Sequence, residues 1–223
     1  MTTTERTDTW DMIVVHRVFR REFRMAPALV RAVAPGDTTR AGILAEHLGS
    51  LTLGLDHHHT VEDELLWPLM LARASMHADL INRMEAQHER LHAPLAQIVE
   101  LLPRWRARAL AADRDELADV LAQASVALDE HLADEERQML PLIEQHITPA
   151  EWRAVGERGK AVIPKGRTAL VFLGTILEEA TPEEKKRFLA ELPAPARLLW
   201  RLTGERVYRK ARDRVRLGQG SRS

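Results

Sequence analysis

Two segments of the chain carry the same set of metal-ligating residue types at the same spacing. His58-x-x-x-Glu62-Asp63-x-x-x-Trp67-Pro68-Leu69-Met70 aligns with His131-x-x-x-Glu135-Glu136-x-x-x-Leu140-Pro141-Leu142-Ile143. Each is preceded by a further histidine, His16 by 42 residues and His88 by 43. On a helix, residues four apart project from one face about one turn apart, so each His–Glu pair can reach a shared ion. Two copies imply a pseudo-two-fold site. Imidazole with carboxylate suits iron, manganese or zinc. With no cysteine in the chain, thiolate ligands, iron–sulfur clusters and disulfides are excluded.

The surrounding apolar pattern places these groups inside. Leu44, Leu48, Leu51 and Leu55 lead into His58 and Glu62, and Leu65 and Leu69 follow. Leu117, Leu121, Ala124 and Leu128 lead into His131 and Glu135, with Met139 and Leu142 beyond. Ile81, Met84, His88, Leu91, Leu95 and Ile98 share a third stripe; Met12, His16, Phe19 and Phe23 share a fourth. Steps of three and four keep each set on one side of its helix. The histidines and glutamates thus occupy positions where a bundle wants leucine. Burying them costs several kcal/mol unless they are paired or metal-bound, and a dinuclear divalent centre removes that cost.

Other residues are weighed against this pattern. A single His-x-x-x-Glu is more often a solvated helix-stabilising pair than a ligand set; duplication in phase with the core argues for ligation. In His57-His58-His59 only His58 has Glu at i+4 and continues the leucine stripe, so His57 and His59 are read as groups behind the ligands or at the surface, with an approach of His57 to the site left open. His92, one turn beyond His88, is read as a further ligand. Its mate in the first helix is Arg20, which cannot ligate. His47, His77 and His146 are remote and read as surface residues. Glu85-x-x-His88 is half of a ferritin-type motif, without a second copy. Tyr208, the one tyrosine, lies far from the repeat.

The elements that must position these residues are helical. Leu, Ala, Arg and Glu dominate up to about residue 147. Four segments emerge: about 9–34, 37–73 with a kink or end at Pro68, 78–111 interrupted by Pro94 and Pro103, and from after Asp113 to 146. Short connections make neighbours antiparallel, predicting an all-α, up-down-up-down four-helix bundle over residues 9–147. Residues 148–223 form a C-terminal helical extension, with helices near 149–160, 166–180, 182–191 and 195–216. Thr148-Pro149-Ala150-Glu151 and Thr181-Pro182-Glu183-Glu184 read as capped starts.

Net charge is −1, so the whole chain is no polycation built for nucleic acid. The halves differ: residues 1–147 carry 15 Lys+Arg against 24 Asp+Glu, and residues 148–223 carry 17 against 9. That contrast predicts a basic extension docked on an acidic bundle; a nucleic-acid, membrane or protein partner surface is the competing reading. No stretch is long and apolar enough to span a membrane. The polar N-terminus lacks the apolar core of a signal peptide, which predicts a cytoplasmic protein.

His16, His58-x-x-x-Glu62, His88-x-x-x-His92, His131-x-x-x-Glu135-Glu136 and the string from His57 to Pro68 resemble the hemerythrin-like family, the HHE cation-binding domain, over about residues 9–146. The resemblance implies a non-haem di-iron centre bridged by two carboxylates and an oxo or hydroxo group, zinc or manganese being the alternatives. By residue type, Glu62 and Glu135 map to the bridges, and His16, His58, His88, His92 and His131 to the terminal positions. The oxygen-carrier pattern has a carboxylate five residues after the last-helix histidine. Here both +4 and +5 are Glu, so the second bridge lies with Glu135 or Glu136. The implied function is to bind, sense or remove O2, NO or peroxide. The alternatives are an iron or oxygen sensor whose basic extension contacts a partner, and a structural zinc bundle.

Overall fold

The computed structural model describes residues 6–163 and 165–217. The first residues of the polar N-terminus and the last of the basic tail lie outside that range. Four long rods form the core: α1 (Trp10–Arg31), α2 (Thr38–Val61), α4 (Ala78–Arg108) and α5 (Ala111–Asp134). Short helices α3 (Trp67–Arg73) and α6 (Leu140–His146) prolong α2 and α5. Helix α1 packs on α2 and α5, and α4 packs on the same two, closing a ring. Connections of a few residues join consecutive rods, which is compatible with the expected up-and-down arrangement. Asp37 caps α2 by accepting from the Arg40 N–H at 2.8 Å.

The sequence stripes are buried as expected on α1, α4 and α5. Pro94 and Pro103 do not interrupt α4, which is continuous. Each removes one N–H, and the carbonyls freed belong to the exposed residues Arg90 and Val99, where water can serve them.

One register expectation fails. Leu65, Leu69 and Leu142 are only half-buried; Leu66, Met70 and Ile143 take the core positions. The cause is a π-helical turn at Glu62–Leu66 and another at Glu135–Met139. The Trp67 N–H reaches the Glu62 carbonyl, and the Leu140 N–H reaches that of Glu135. Pro68 and Pro141 follow immediately. A proline ring cannot accept the carbonyl four residues back, so a wider turn relieves the clash. In an α-helix every +4 step drifts by about 40°. The wide turn absorbs that drift and keeps His58, Glu62, Leu66 and Met70 on one face, and likewise His131, Glu135, Met139 and Ile143.

Beyond the bundle lie α7 (Pro149–Lys160), α8 (Arg167–Glu179), α9 (Pro182–Glu191), α10 (Ala194–Leu199) and α11 (Glu205–Arg216), the last two joined by a π turn, Trp200–Gly204. Both expected capping boxes are present, Thr148 with Glu151 and Thr181 with Glu184. Helix α8 packs on α1, where Val14 and Val18 meet Ile176 and Ala180, so α1 is buried on two sides. Helix α11 packs on α8 through Tyr208 at Gly174.

Ion pairs join extension and bundle. Arg17 meets Glu184 at 2.7 Å, Arg21 meets Glu178 at 2.9 Å, and Arg73 meets Glu151 at 2.6 Å. Glu22 on α1 is buried and faces His47 at 2.9 Å, Arg21 at 2.8 Å and Arg216 at 3.2 Å. His47 is therefore no free surface residue. Burial alone would raise the Glu22 pKa, but His47 and Arg21 outweigh it and hold it at about 2, below the ordinary 4.5.

Two outcomes follow. A folded-state pKa below the unfolded value means Glu22 stabilises fully above about pH 4.5 and loses that contribution as pH falls toward 2. Glu22→Gln should flatten that acid branch of the urea-unfolding stability curve. A Cβ on Gly174 would lie 2.2 Å from the Tyr208 ring. Gly174→Ala should therefore lower stability by about 1–3 kcal/mol in thermal or urea unfolding. At Gly42, where a Cβ meets nothing within 4 Å, the same change should stabilise by about 0.5–1 kcal/mol.

Candidate metal centre

Five imidazoles and two carboxylates converge in the interior between the four rods. His16 comes from α1, His58 and His59 from α2, His88 from α4 and His131 from α5; Glu62 and Glu135 come from the two π turns. Their ligand atoms form two adjacent groups, His16–His58–Glu62–Glu135 and His59–His88–His131, each within 4.8 Å. The carboxylates lie between the groups. Glu62 is 3.3 Å from His58 Nε2 and 3.5 Å from His88 Nε2. Glu135 is 3.3 Å from His16 Nε2 and 3.8 Å from His131 Nε2.

The outer nitrogens show which way the imidazoles are held. His16 Nδ1 donates to Glu136 at 3.0 Å, His88 Nδ1 to Asp63 at 2.7 Å, and His131 Nδ1 to the Gln87 side-chain carbonyl at 3.1 Å. Gln87 donates in turn to Asp134 at 3.0 Å, and Arg20 supports Glu136 at 2.6 Å. A neutral ring with its proton on Nδ1 turns a bare Nε2 lone pair inward. The Nε2 atoms of His88 and His131 face each other at 3.1 Å, and those of His16 and His58 at 3.3 Å. Both oxygens of Glu62 and of Glu135, and Nε2 of His59, are buried without a hydrogen-bond partner. Inward lone pairs, unpartnered carboxylate oxygens and outward Nδ1–H bonds form the donor set of a bound cation.

Without a cation the site would resist charge. Burial and neighbouring imidazoles push His58, His59 and His131 well below the usual histidine range. Burial, reinforced by Glu135, pushes Glu62 well above the carboxylate range, and burial raises Glu135 as well.

The structure brings together six of the seven expected ligands: His16, His58, Glu62, His88, His131 and Glu135. His92 lies outside both groups and is exposed. It sits one turn past His88, where α4 meets solvent. The place expected for it is taken by His59, which is buried, stacked on the His88 ring with centroids 4.2 Å apart, and edge-on to His131. The missed signal is that Leu55 to His59 is a +4 step, as compatible with the core face as the +3 step to His58. The facing helix uses both. His57 turns away and donates to the Arg158 carbonyl at 3.0 Å. Of the two consecutive glutamates, Glu135 faces the groups and Glu136 holds His16 from outside.

A bundle of four rods whose core holds two histidine groups and two intervening carboxylates is a cation-binding helical bundle. The family model of the hemerythrin HHE cation binding domain matches residues 7–143. The chain belongs to that family. Neither the curated proteins nor the solved structures contain a match to it. Among the described residues no helix is long and apolar enough to cross a membrane.

Metal analysis of purified variants checks the donor set. His59→Ala and Glu62→Ala should each lower metal content clearly below wild type, whereas His92→Ala should retain it. Asp63→Asn should weaken metal affinity about 10–100-fold, because it removes the carboxylate that orients His88.

Proposed function

We propose that this chain is a non-haem di-iron protein that binds, senses or removes a small molecule such as O2, NO or peroxide. The observation that carries the reading is the position of Glu62 and Glu135, each set between two histidine groups. One ion would be held by His16 and His58, the other by His59, His88 and His131, with both carboxylates shared. Bound iron would supply one-electron redox change and affinity for small ligands. A histidine-rich set favours cycling between diferrous and diferric states over the high-valent chemistry of carboxylate-rich sites.

The protein's part is positioning and exclusion. Asp63, Glu136 and Gln87 keep the proton on Nδ1 of His88, His16 and His131, which keeps each Nε2 available. Leu55, Leu66, Trp67, Leu91, Leu128 and Met139 are buried along the same rods and keep bulk water away. That shell admits only small molecules. The extension is read as packing on the domain, supported by the apolar contact of Val14 and Val18 with Ile176 and Ala180 and by ion pairs in which bundle arginines meet extension glutamates. Exposed Leu198, Leu199 and Leu202 beside Arg197 and Arg201 favour a second reading, in which the extension contacts a protein partner and the bundle acts as sensor. We place the protein in the cytoplasm.

The test is anaerobic loading with ferrous iron, followed by stopped-flow spectra with O2, NO and peroxide. Ligand-dependent visible bands are expected, with close to two iron ions per chain. Zinc in the native protein and a featureless spectrum under air and azide would replace this reading with a structural zinc bundle.

A further inference from the structure

A cleft of about 280 Å3 opens between α2 and α4 directly over the candidate centre. Asp56, His59, Thr60 and Asp63 line it from α2 and its π turn; Glu85, His88, Glu89 and His92 line it from α4. The spacing puts two rows of acids and imidazoles face to face. Asp56, Glu85, Glu89 and His92 are exposed at the mouth. His59 and His88 are buried at the floor, and His59 Nε2 has no partner there. Among the described residues no Lys or Arg pairs with Asp56, Glu85 or Glu89. Asp63 is engaged by His88.

The internal repeat supplies a comparison within the same molecule. A shift of 72 residues carries α4 onto α1, and one of 73 carries α2 onto α5. Asp56 then corresponds to Asp129 and Asp63 to Glu136, so the acids of the α2 side are kept. Glu89 and His92, however, correspond to Arg17 and Arg20. Arg20 bonds Glu136 at 2.6 Å and approaches Asp129 at 3.6 Å, while Arg17 holds Glu184 at 2.7 Å. At the equivalent position Arg20 thus neutralises Glu136 and Asp129. One approach to the centre presents acids without a cationic partner, and the other presents acids already paired with arginine.

We propose that the α2–α4 cleft is an outer capture site for hydrated divalent cations and the route by which they reach His59 and His88. This rests on the metal-binding reading above and adds a direction of loading. Asp56, Glu85, Glu89 and His92 offer exposed oxygen and nitrogen donors that a hydrated ion can meet while retaining water. The unpartnered His59 and the floor of the cleft then receive it. A cleft lined by one sign of charge concentrates counter-ions and raises their association rate.

The experiment uses the full chain purified from metal-deficient medium, with cobalt(II) alone as the probe in stopped-flow absorbance. Asp56→Asn/Glu85→Gln/Glu89→Gln should slow cobalt uptake about tenfold or more and weaken its dependence on salt. Final cobalt content should match wild type. Asp115→Asn/Glu116→Gln removes two acids about 24 Å along α5 from His131 and should leave the rate unchanged. A triple-variant rate within about twofold of wild type would overturn the route. So would equal slowing in the remote variant, which would assign the effect to net charge, or a reduced final content, which would assign the acids to the centre itself. Wild-type protein that takes up no cobalt or iron would overturn the metal-binding reading as well, a result distinct from an unchanged rate.

Discussion

The structure depends on one electrostatic constraint: a leucine-lined seam encloses two carboxylates and a set of imidazole lone pairs aimed at one another. Desolvating such groups costs several kcal/mol each when they lack partners. The outer nitrogens of His16, His88 and His131 are already bonded to Glu136, Asp63 and Gln87, which leaves their inner nitrogens crowded against one another and against Glu62 and Glu135. A cation among them would offset the repulsion between the carboxylates and give the inner nitrogens a partner. Membership of a cation-binding family and this unsatisfied interior are two views of the same fact.

The π turns show how the backbone serves that constraint. Each begins at the shared glutamate and ends just before Trp67-Pro68 or Leu140-Pro141. The proline forces the wider turn, and the wider turn keeps the glutamate, the preceding histidine and the following apolar residues on the core face. Duplication repeats the device on both halves of the bundle. The duplication is then broken where its copies need not be equal: His59 has Leu132 as its counterpart, and the solvent-facing His92 has Arg20. The two histidine groups differ in size as a result, and so do the two approaches to them.

The extension is bound up with the first rod. Helix α1 supplies His16 to the core and, on its other side, Val14 and Val18 to a contact with α8. Its arginines and Glu22 join a network with Glu178, Glu184 and Arg216. Most of these pairs run against the overall charge contrast: Arg17, Arg21 and Arg73 of the bundle meet Glu184, Glu178 and Glu151 of the extension, while Arg216 meets Glu22 in the other sense. A disturbance of α8 or α11 acts on the helix that carries His16, even though among the described residues none of the extension belongs to either histidine group.

Much of this was legible without coordinates. The helical character of the chain, the capping boxes and the duplicated His–Glu pairs follow from local chemistry: periodicity, the special geometry of proline, and side chains that bond their own backbone. What the chain order could not decide is which of several neighbouring residues turns inward. One-dimensional periodicity tolerates both the +3 step to His58 and the +4 step to His59, and it continues through Leu65 as readily as through Leu66. Which of Glu135 and Glu136 faces the histidine groups, the place of His92 at the surface and the one-residue shift after each π turn depend on packing among four rods. There the angular position of a side chain depends on helices distant in the sequence. Local spacing named the donors, and only the assembled bundle decided which of them share an interior.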